Sequence, residues 1–315
     1  MSTKVNVDNF TRAETDRMFS GLLAGAGGLN RWSHVRRPTP IDAQTVIRMN
    51  RDTLYSFAVV DLRQGATITV PDAGERYLSV MVVNEDHYIN SVIHEPGEHE
   101  LRLADHDTPY VALAARLLVD PTDPADVAAV NALQDQFRLS AGSEVAFQPP
   151  DYDAGGLDAT RGALLKLAAG VEGFDHTFGR RDDVDPVRHL LGTAAGWGGL
   201  PETEAFYVNV SPDLPVGEYD LRVTDVPVDA FWSISMYNAD GFFEQNEHDA
   251  YNINDVTAEK DADGAVTERF GVDPSRGPNI LPIGEGWNYI VRLYRPRPEV
   301  LDGTWTFPAA VPVDG

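Results

Sequence analysis

One pattern is written twice in this chain, and it constrains the fold more than any other feature. Tyr77-Leu78-Ser79-Val80 followed by Asn84-x-Asp86 returns as Phe231-Trp232-Ser233-Ile234 followed by Asn238-x-Asp240. Every second-copy position lies 154 residues after its counterpart (77 and 231, 84 and 238, 86 and 240). Upstream of each copy stand a strand-like run and a turn with proline, Pro71 and Pro227. A repeat at fixed offset is one structural unit used twice, so two related halves are expected.

Both halves read as β. Apolar runs at Leu54–Val60, Ala66–Val70, Tyr77–Val83, Tyr88–His94, His99–Leu103 and Tyr110–Val119 are separated by Gly65, Pro71-Asp72, Gly74, Pro96-Gly97 and Asp105 to Asp107. The second set is Ala205–Val210, Glu218–Val223, Ala230–Tyr237, Val266–Phe270, Trp287–Tyr294 and Thr304–Phe307. Short strands at regular spacing, broken by turn residues, suit a sandwich or barrel. Between the sets the spacing turns helical. Asp123-Pro124 and Asp185-Pro186 each place a capping carboxylate before a first-turn proline, and a third helix is expected from about Asp158. Near the N-terminus, Thr11-x-x-Glu14 has the form of a capping box, and Gly25, Gly27 and Gly28 end its helix. The expected division is 1–120, N-terminal helix plus first β half; 121–200, helical insert; and 201–315, second β half.

Charge and composition exclude several classes of function. The chain has 25 basic and 49 acidic residues, a net charge of −24, and no cysteine. A field of that sign repels nucleic acid and anionic membranes, and thiolate, disulfide and zinc–sulfur chemistry are ruled out. No run approaches the ~18 apolar residues of a membrane helix. Met1 to Phe10 lacks the apolar core of a secretory signal, which makes the cytoplasm the expected compartment. No Gly-x-Ser-x-Gly elbow, P-loop or dinucleotide fingerprint is present, so no cofactor is named by the sequence.

The candidate site is Arg48-Met49-Asn50-Arg51-Asp52-Thr53-Leu54-Tyr55, polar residues at the mouth of an apolar strand. Arg51 is placed to clamp a carboxylate or sugar acid in two-pronged fashion, with Asp52 as base or orienter; the alternative is a structural Asn/Asp turn and a buried Arg–Asp pair. His34, Arg36 and Arg37 are placed to fold over the strand mouth. His87 is a candidate for proton transfer, or a satisfied structural histidine. His94 and His99 flank Pro96-Gly97, where a hairpin would pair them; their spacing is not that of a histidine metal motif, and no metal is expected. Along Phe231 to Tyr237, Trp232, Ile234 and Met236 alternate with Ser233, Ser235 and Tyr237. Trp232, Ser235 and Tyr237 suit a sugar or planar ligand, or an inter-sheet face. The stretch from Asp240 to Asp255 is dense in oxygen-bearing side chains and reads as a polar rim, with a carboxylate pair for glycoside chemistry as the sharper alternative.

These stretches resemble a known pairing of families. Val46 to Ser56, then Val70-Pro71-Asp72-x-Gly74-x-Arg76-Tyr77 and Ala132 to Gln136, resemble the N-terminal domain of unknown function numbered 1254. Ala230 to Phe243, Asn279-x-Leu281-Pro282, and Arg292-Leu293-Tyr294 through Trp305 resemble its C-terminal partner, numbered 1214. The chain departs from the pattern at Arg51, where many members carry a second asparagine, and at Ile280, where tryptophan is common. The resemblance implies a mainly β protein with a helical insert, two jelly-roll-like β-sandwich halves in tandem, and no agreed activity. Taken together, the expectations are a soluble, self-associating protein that binds a small polar, anionic or sugar-like molecule, with hydrolase-like chemistry at Asp52 and His87. A non-catalytic structural sandwich is the alternative.

Overall fold

In both halves, strands alternate apolar residues toward an interior shared by two sheets. The computed structural model describes residues 2–44, 47–171, 173–273 and 276–313; Val46, at the start of the candidate motif, lies outside them. The chain is mostly β, 29% strand against 21% helix, in several largely antiparallel sheets, and the described residues form no closed barrel. It divides into two compact units: residues 1–36, 54–119 and 123–202, and residues 37–53, 120–122 and 203–315.

The first unit runs through α1 (Phe10–Ala26), β1 (Ser33–His34), β2 (Thr53–Asp61), β3 (Ala66–Val70), β4 (Leu78–Asn84), β5 (Ile89–Ile93), β6 (Gly97–Leu101), α2 (Leu103–His106) and β7 (Tyr110–Leu118). It continues with α3 (Pro124–Gln134), β8 (Arg138–Ala141), α4 (Ala154–Ala168) and α5 (Pro186–Gly196). Its sheets have the strand orders β1-β2-β7-β4-β5 and β6-β3-β8. Ala58 and Val60 of β2, Val80 and Val82 of β4, Leu113 and Ala115 of β7, and Ile68 of β3 share one buried cluster between them. Each fully buried valine, leucine or isoleucine among them contributes about 1.5–3 kcal/mol. The helical segment falls in this unit, where the backbone after α5 reaches the far face of β4 and β7: Arg116 donates to the Gly198 carbonyl at 2.8 Å.

The second unit holds β9 (Ala205–Val210), β10 (Tyr219–Val223), β11 (Trp232–Tyr237), β12 (Asn252–Asn254), β13 (Val266–Gly271), β14 (Ile280–Pro282), β15 (Asn288–Tyr294), α6 (Pro298–Leu301) and β16 (Val311–Pro312). Its sheets are β12-β11-β15-β9 and β14-β13-β10-β16, with Ile234, Val291, Leu221 and Phe270 in the shared core. With β1 and β14 set aside, the two units repeat one strand order: first, sixth, third, fourth in one sheet, and fifth, second, seventh in the other.

The repeat extends to the turn after the third strand. Asp86 and Tyr88 amides donate to Asn84 Oδ1 at 3.0 and 2.9 Å; Asp240 and Phe242 amides donate to Asn238 Oδ1 at 3.1 and 3.0 Å. The asparagine side chain closes the turn in both copies. The fourth turn residue is left-handed in each, His87 at φ 63° and Gly241 at φ 82°. Only the second copy fills that position with the residue that adopts it freely.

The helix starts at Asp123 and Asp185 are as expected: Asp123 accepts from the Ala125 amide and Asp185 from the Val187 and Arg188 amides. The capping box at Thr11 is not formed. The helix begins two residues earlier, behind Asn9, which makes no side-chain cap, and Glu14 is instead held by Arg17 and Arg161. The third helix starts at Ala154, capped by Asp153. Thr304 to Phe307 is not a strand; Val311–Pro312 pairs with β10 in its place. His94 and His99 do not pair across a hairpin, because β5 and β6 belong to different sheets. His94 meets the Leu78 carbonyl and His99 the Glu95 carbonyl.

Candidate functional site

The outer face of β11 and β15 is polar and buried, and residues of the 37–53 segment supply its partners. On β11, Trp232, Ile234 and Met236 enter the sandwich core, so Ser233, Ser235 and Tyr237 point the other way. Ser233 stands directly opposite Arg292 in the β11–β15 ladder. Arg292 is 3% exposed. It donates to Ser235 Oγ at 2.7 Å, Tyr237 Oη at 2.9 Å and the Arg48 carbonyl at 2.9 Å. Tyr237 Oη in turn donates to the Met49 carbonyl at 2.7 Å. Tyr237 and Met49 also share an apolar cluster with Ile41, Phe243 and Tyr251. The aromatic part of this face is thus covered by the chain's own residues.

Asp52 lies at the centre and is 0% exposed. Ser233 Oγ donates to its Oδ2 at 2.6 Å and Asn252 Nδ2 to its Oδ1 at 2.8 Å. Burial raises its carboxyl above the usual value, while the charge of Arg292 and the hydrogen bonds oppose that rise. Asn50 sets the approach. Its Oδ1 accepts from the Asp52 amide at 2.8 Å, an Asx turn, and its Nδ2 donates to Tyr294 Oη at 2.9 Å.

Arg51 points elsewhere. It lines a pocket of ≈ 330 Å³ together with His248, Asp249, Tyr251, Asn252 and Asn279. Its guanidinium lies 5.2 Å over the Tyr251 ring and donates to the Thr39 carbonyl at 2.9 Å. It is 8% exposed, its Nε has no partner, and among the described residues it makes no ion pair. Burial lowers its pKa, and Asp249 acts on it only at longer range. Two pocket residues are left-handed without being glycine: Asp249 at φ 51° and Asn279 at φ 56°.

Of the residues nominated individually from sequence, Arg51 alone lines this pocket, beside members of the nominated stretch 240–255. Asp52 is closed off behind Asn252, so a role as exposed base is corrected to one of fixing its neighbours. Arg48 takes a left-handed backbone (φ 53°) and lies 5.8 Å over the Tyr237 ring. Ser235 and Tyr237 serve Arg292, and Trp232 is core. His34 and Tyr55 belong to the first unit. There His34 Nδ1 is 2.8 Å from Ser56 Oγ, and Tyr55 stacks on Phe57 beneath Arg116. Arg36 pairs there with Asp135.

His87 is also corrected. It is 0% exposed, and the Gly198 amide donates to its Nε2 at 2.9 Å. Its Nδ1 therefore carries the proton and donates to Thr193 Oγ1 at 2.8 Å. Both nitrogens are used inside the fold, and burial holds its pKa well below the usual value.

Arg292, Asn252 and Asn254 were not singled out individually. The signal for Asn252 lay in the oxygen-rich stretch 240–255, which does supply His248, Asp249, Tyr251 and Asn252 to the pocket. Among the described residues no group of three or more His, Asp or Glu could hold a metal, and no helix is long and apolar enough to cross a membrane.

Residues 29–98 match the family described as Protein of unknown function (DUF1254), and residues 215–298 the family described as Protein of unknown function (DUF1214). The fold is similar to that of the VPA0106 protein from Vibrio parahaemolyticus, at 19% identity and a TM-score of 0.72, over 98% of this chain and 100% of that one. It is also similar to an uncharacterized protein from Burkholderia cenocepacia, at 14% identity and a TM-score of 0.55, over 96% of this chain and 86% of that one. No curated protein matches.

Proposed function

We propose that this chain, which pairs the two domains of unknown function 1254 and 1214 in that order, is a binding protein for a small anionic molecule held by Arg51. One observation carries the reading: a guanidinium 8% exposed, at a pocket wall, without an ion pair among the described residues. A buried charge costs several kcal/mol unless it is paired. In a protein of net charge −24 carboxylates are abundant, yet among the described residues none is within ion-pair distance of Arg51, and Asp249 acts on it only at longer range. A guanidinium is the side chain best matched to the planar two-oxygen face of a carboxylate. The pocket volume is at the small end of ligand sites, which favours a small organic acid over a polymer.

Binding rather than hydrolysis is the better-supported reading. The carboxylate nominated as base, Asp52, is sealed from the pocket, and the histidine nominated beside it has both nitrogens committed. The same reading takes the protein to be soluble and cytoplasmic, with each half jelly-roll-like.

The test is a thermal-shift screen of small carboxylates, sugar acids and neutral sugars at fixed salt. A ligand present at 100 times its dissociation constant adds about 2.7 kcal/mol of stability. Carboxylates that raise Tm in the wild type and not in Arg51→Ala support the reading. Neutral sugars acting equally on both proteins, with no response to acids, would sink it.

A further inference from the structure

The buried Asp52 determines which face of Asn252 the pocket sees. An amide side chain offers a donor end and an acceptor end, and an ionised carboxylate can only accept. Asn252 Nδ2 is therefore turned inward, onto Asp52 Oδ1 at 2.8 Å. Asn252 is half-buried and lines the pocket with Arg51. Among the described residues its Oδ1 has no protein partner, and it is not among the sealed polar atoms, so it is the acceptor left open. The other pocket amide, Asn279, cannot share that role. Its Oδ1 accepts from the Glu259 amide at 2.9 Å and its Nδ2 donates to the Glu259 carbonyl at 2.8 Å.

From this geometry we infer that the ligand is a hydroxy- or amino-carboxylate, its anion on Arg51 and its hydroxyl or ammonium group donating to Asn252 Oδ1, with Asp52 as the positioning residue that keeps this acceptor outward. The inference rests on the anion reading of the pocket and narrows it. A keto acid or an unsubstituted acid brings no donor to Asn252, and a site built to accept a hydrogen bond discriminates strongly against a ligand lacking the donor.

Calorimetric titrations with matched acids test it: propionate, lactate, alanine and pyruvate, then succinate, malate, aspartate and oxaloacetate. In the wild type a hydroxy or amino acid should bind at least tenfold more tightly than its unsubstituted and keto counterparts. In Asp52→Asn the new amide can donate to Asn252 Oδ1, which turns Nδ2 outward. The preference should then shift by tenfold or more toward the keto acid, a change that mere loosening of the fold does not produce. If Asp52→Asn does not fold, Asn252→Ala should bring the ratio close to one while acids still bind through Arg51. Acids that bind equally with and without the hydroxyl overturn the inference and leave the anion reading standing. A ratio unchanged in folded Asp52→Asn, or in Asn252→Ala, also overturns it. The absence of any acid binding overturns the anion reading, and this inference with it.

Discussion

Asn252 Nδ2 donates to Asp52 Oδ1 at 2.8 Å, across 200 residues of sequence. That bond joins a wholly buried carboxylate to the wall of an open pocket. It separates two neighbours that look alike in sequence: Arg51 faces the pocket, and Asp52 holds the pocket's wall from behind.

Asp52 should behave as a structural charge. Asp52→Ala leaves Arg292 without its opposite charge and strips the acceptor from Ser233 and Asn252. Asp52 and Arg292 act on each other without ion-pair contact, and each buried donor left unsatisfied costs about 1–3 kcal/mol. Urea unfolding should show that loss for Asp52→Ala and a similar one for Arg292→Met. The double variant should cost less than the two singles together.

Glu268 gives a pH dependence of the opposite kind to most carboxylates. It is wholly buried among Val266, Phe270 and the sandwich core, and among the described residues neither oxygen has a partner. Burial raises its pKa well above the usual 4.5, so the folded state holds a proton that the unfolded state releases. Its contribution is complete below pH 4.5 and is lost as pH rises through the raised folded-state value. Glu268→Gln should flatten that fall. Glu268→Leu should add about 1–3 kcal/mol at pH 7, as read by denaturant titration at several pH values.

His87 should act in the reverse sense. Its folded pKa is depressed by burial, so its contribution is present above pH 6.5 and is lost as pH falls toward the folded-state value. Nitrogen NMR should find a neutral ring with the proton on Nδ1 at pH 7. A protonated ring there would contradict the hydrogen bond it accepts from Gly198.

The left-handed turn position can be tested through its second copy. Gly241 has φ 82°, and an added Cβ would lie 3.4 Å from Ile47. Gly241→Ala should cost about 1 kcal/mol, with strain as the main cause.

Much of this architecture is legible in the sequence. The offset of 154 residues marks two halves with one strand order, because register and turn chemistry are local and survive in both copies. The caps at Asp123 and Asp185 are legible for the same reason. The site is legible only in part. Arg51 and the rim from His248 to Asn252 stand out as polar residues beside strands. Whether Asp52 faces the pocket or the interior depends on Arg292, 240 residues away on a strand whose apolar neighbours conceal it. Long-range competition also explains the capping box that does not form, since Arg161 takes the glutamate it needs. The His94–His99 hairpin fails because its two strands leave for different sheets.

The central claim is that Arg51 is an anion site waiting for its partner, and ligand-free stability tests it most directly. Arg51→Met keeps the apolar stem and removes a buried charge that has no ion-pair partner among the described residues. Denaturant unfolding should show this variant at least as stable as the wild type, by 0 to about 2 kcal/mol, and no longer stabilised by the carboxylates that stabilise the wild type. A loss of about 3 kcal/mol or more without ligand would show that Arg51 is already satisfied within the fold, and would contradict the account.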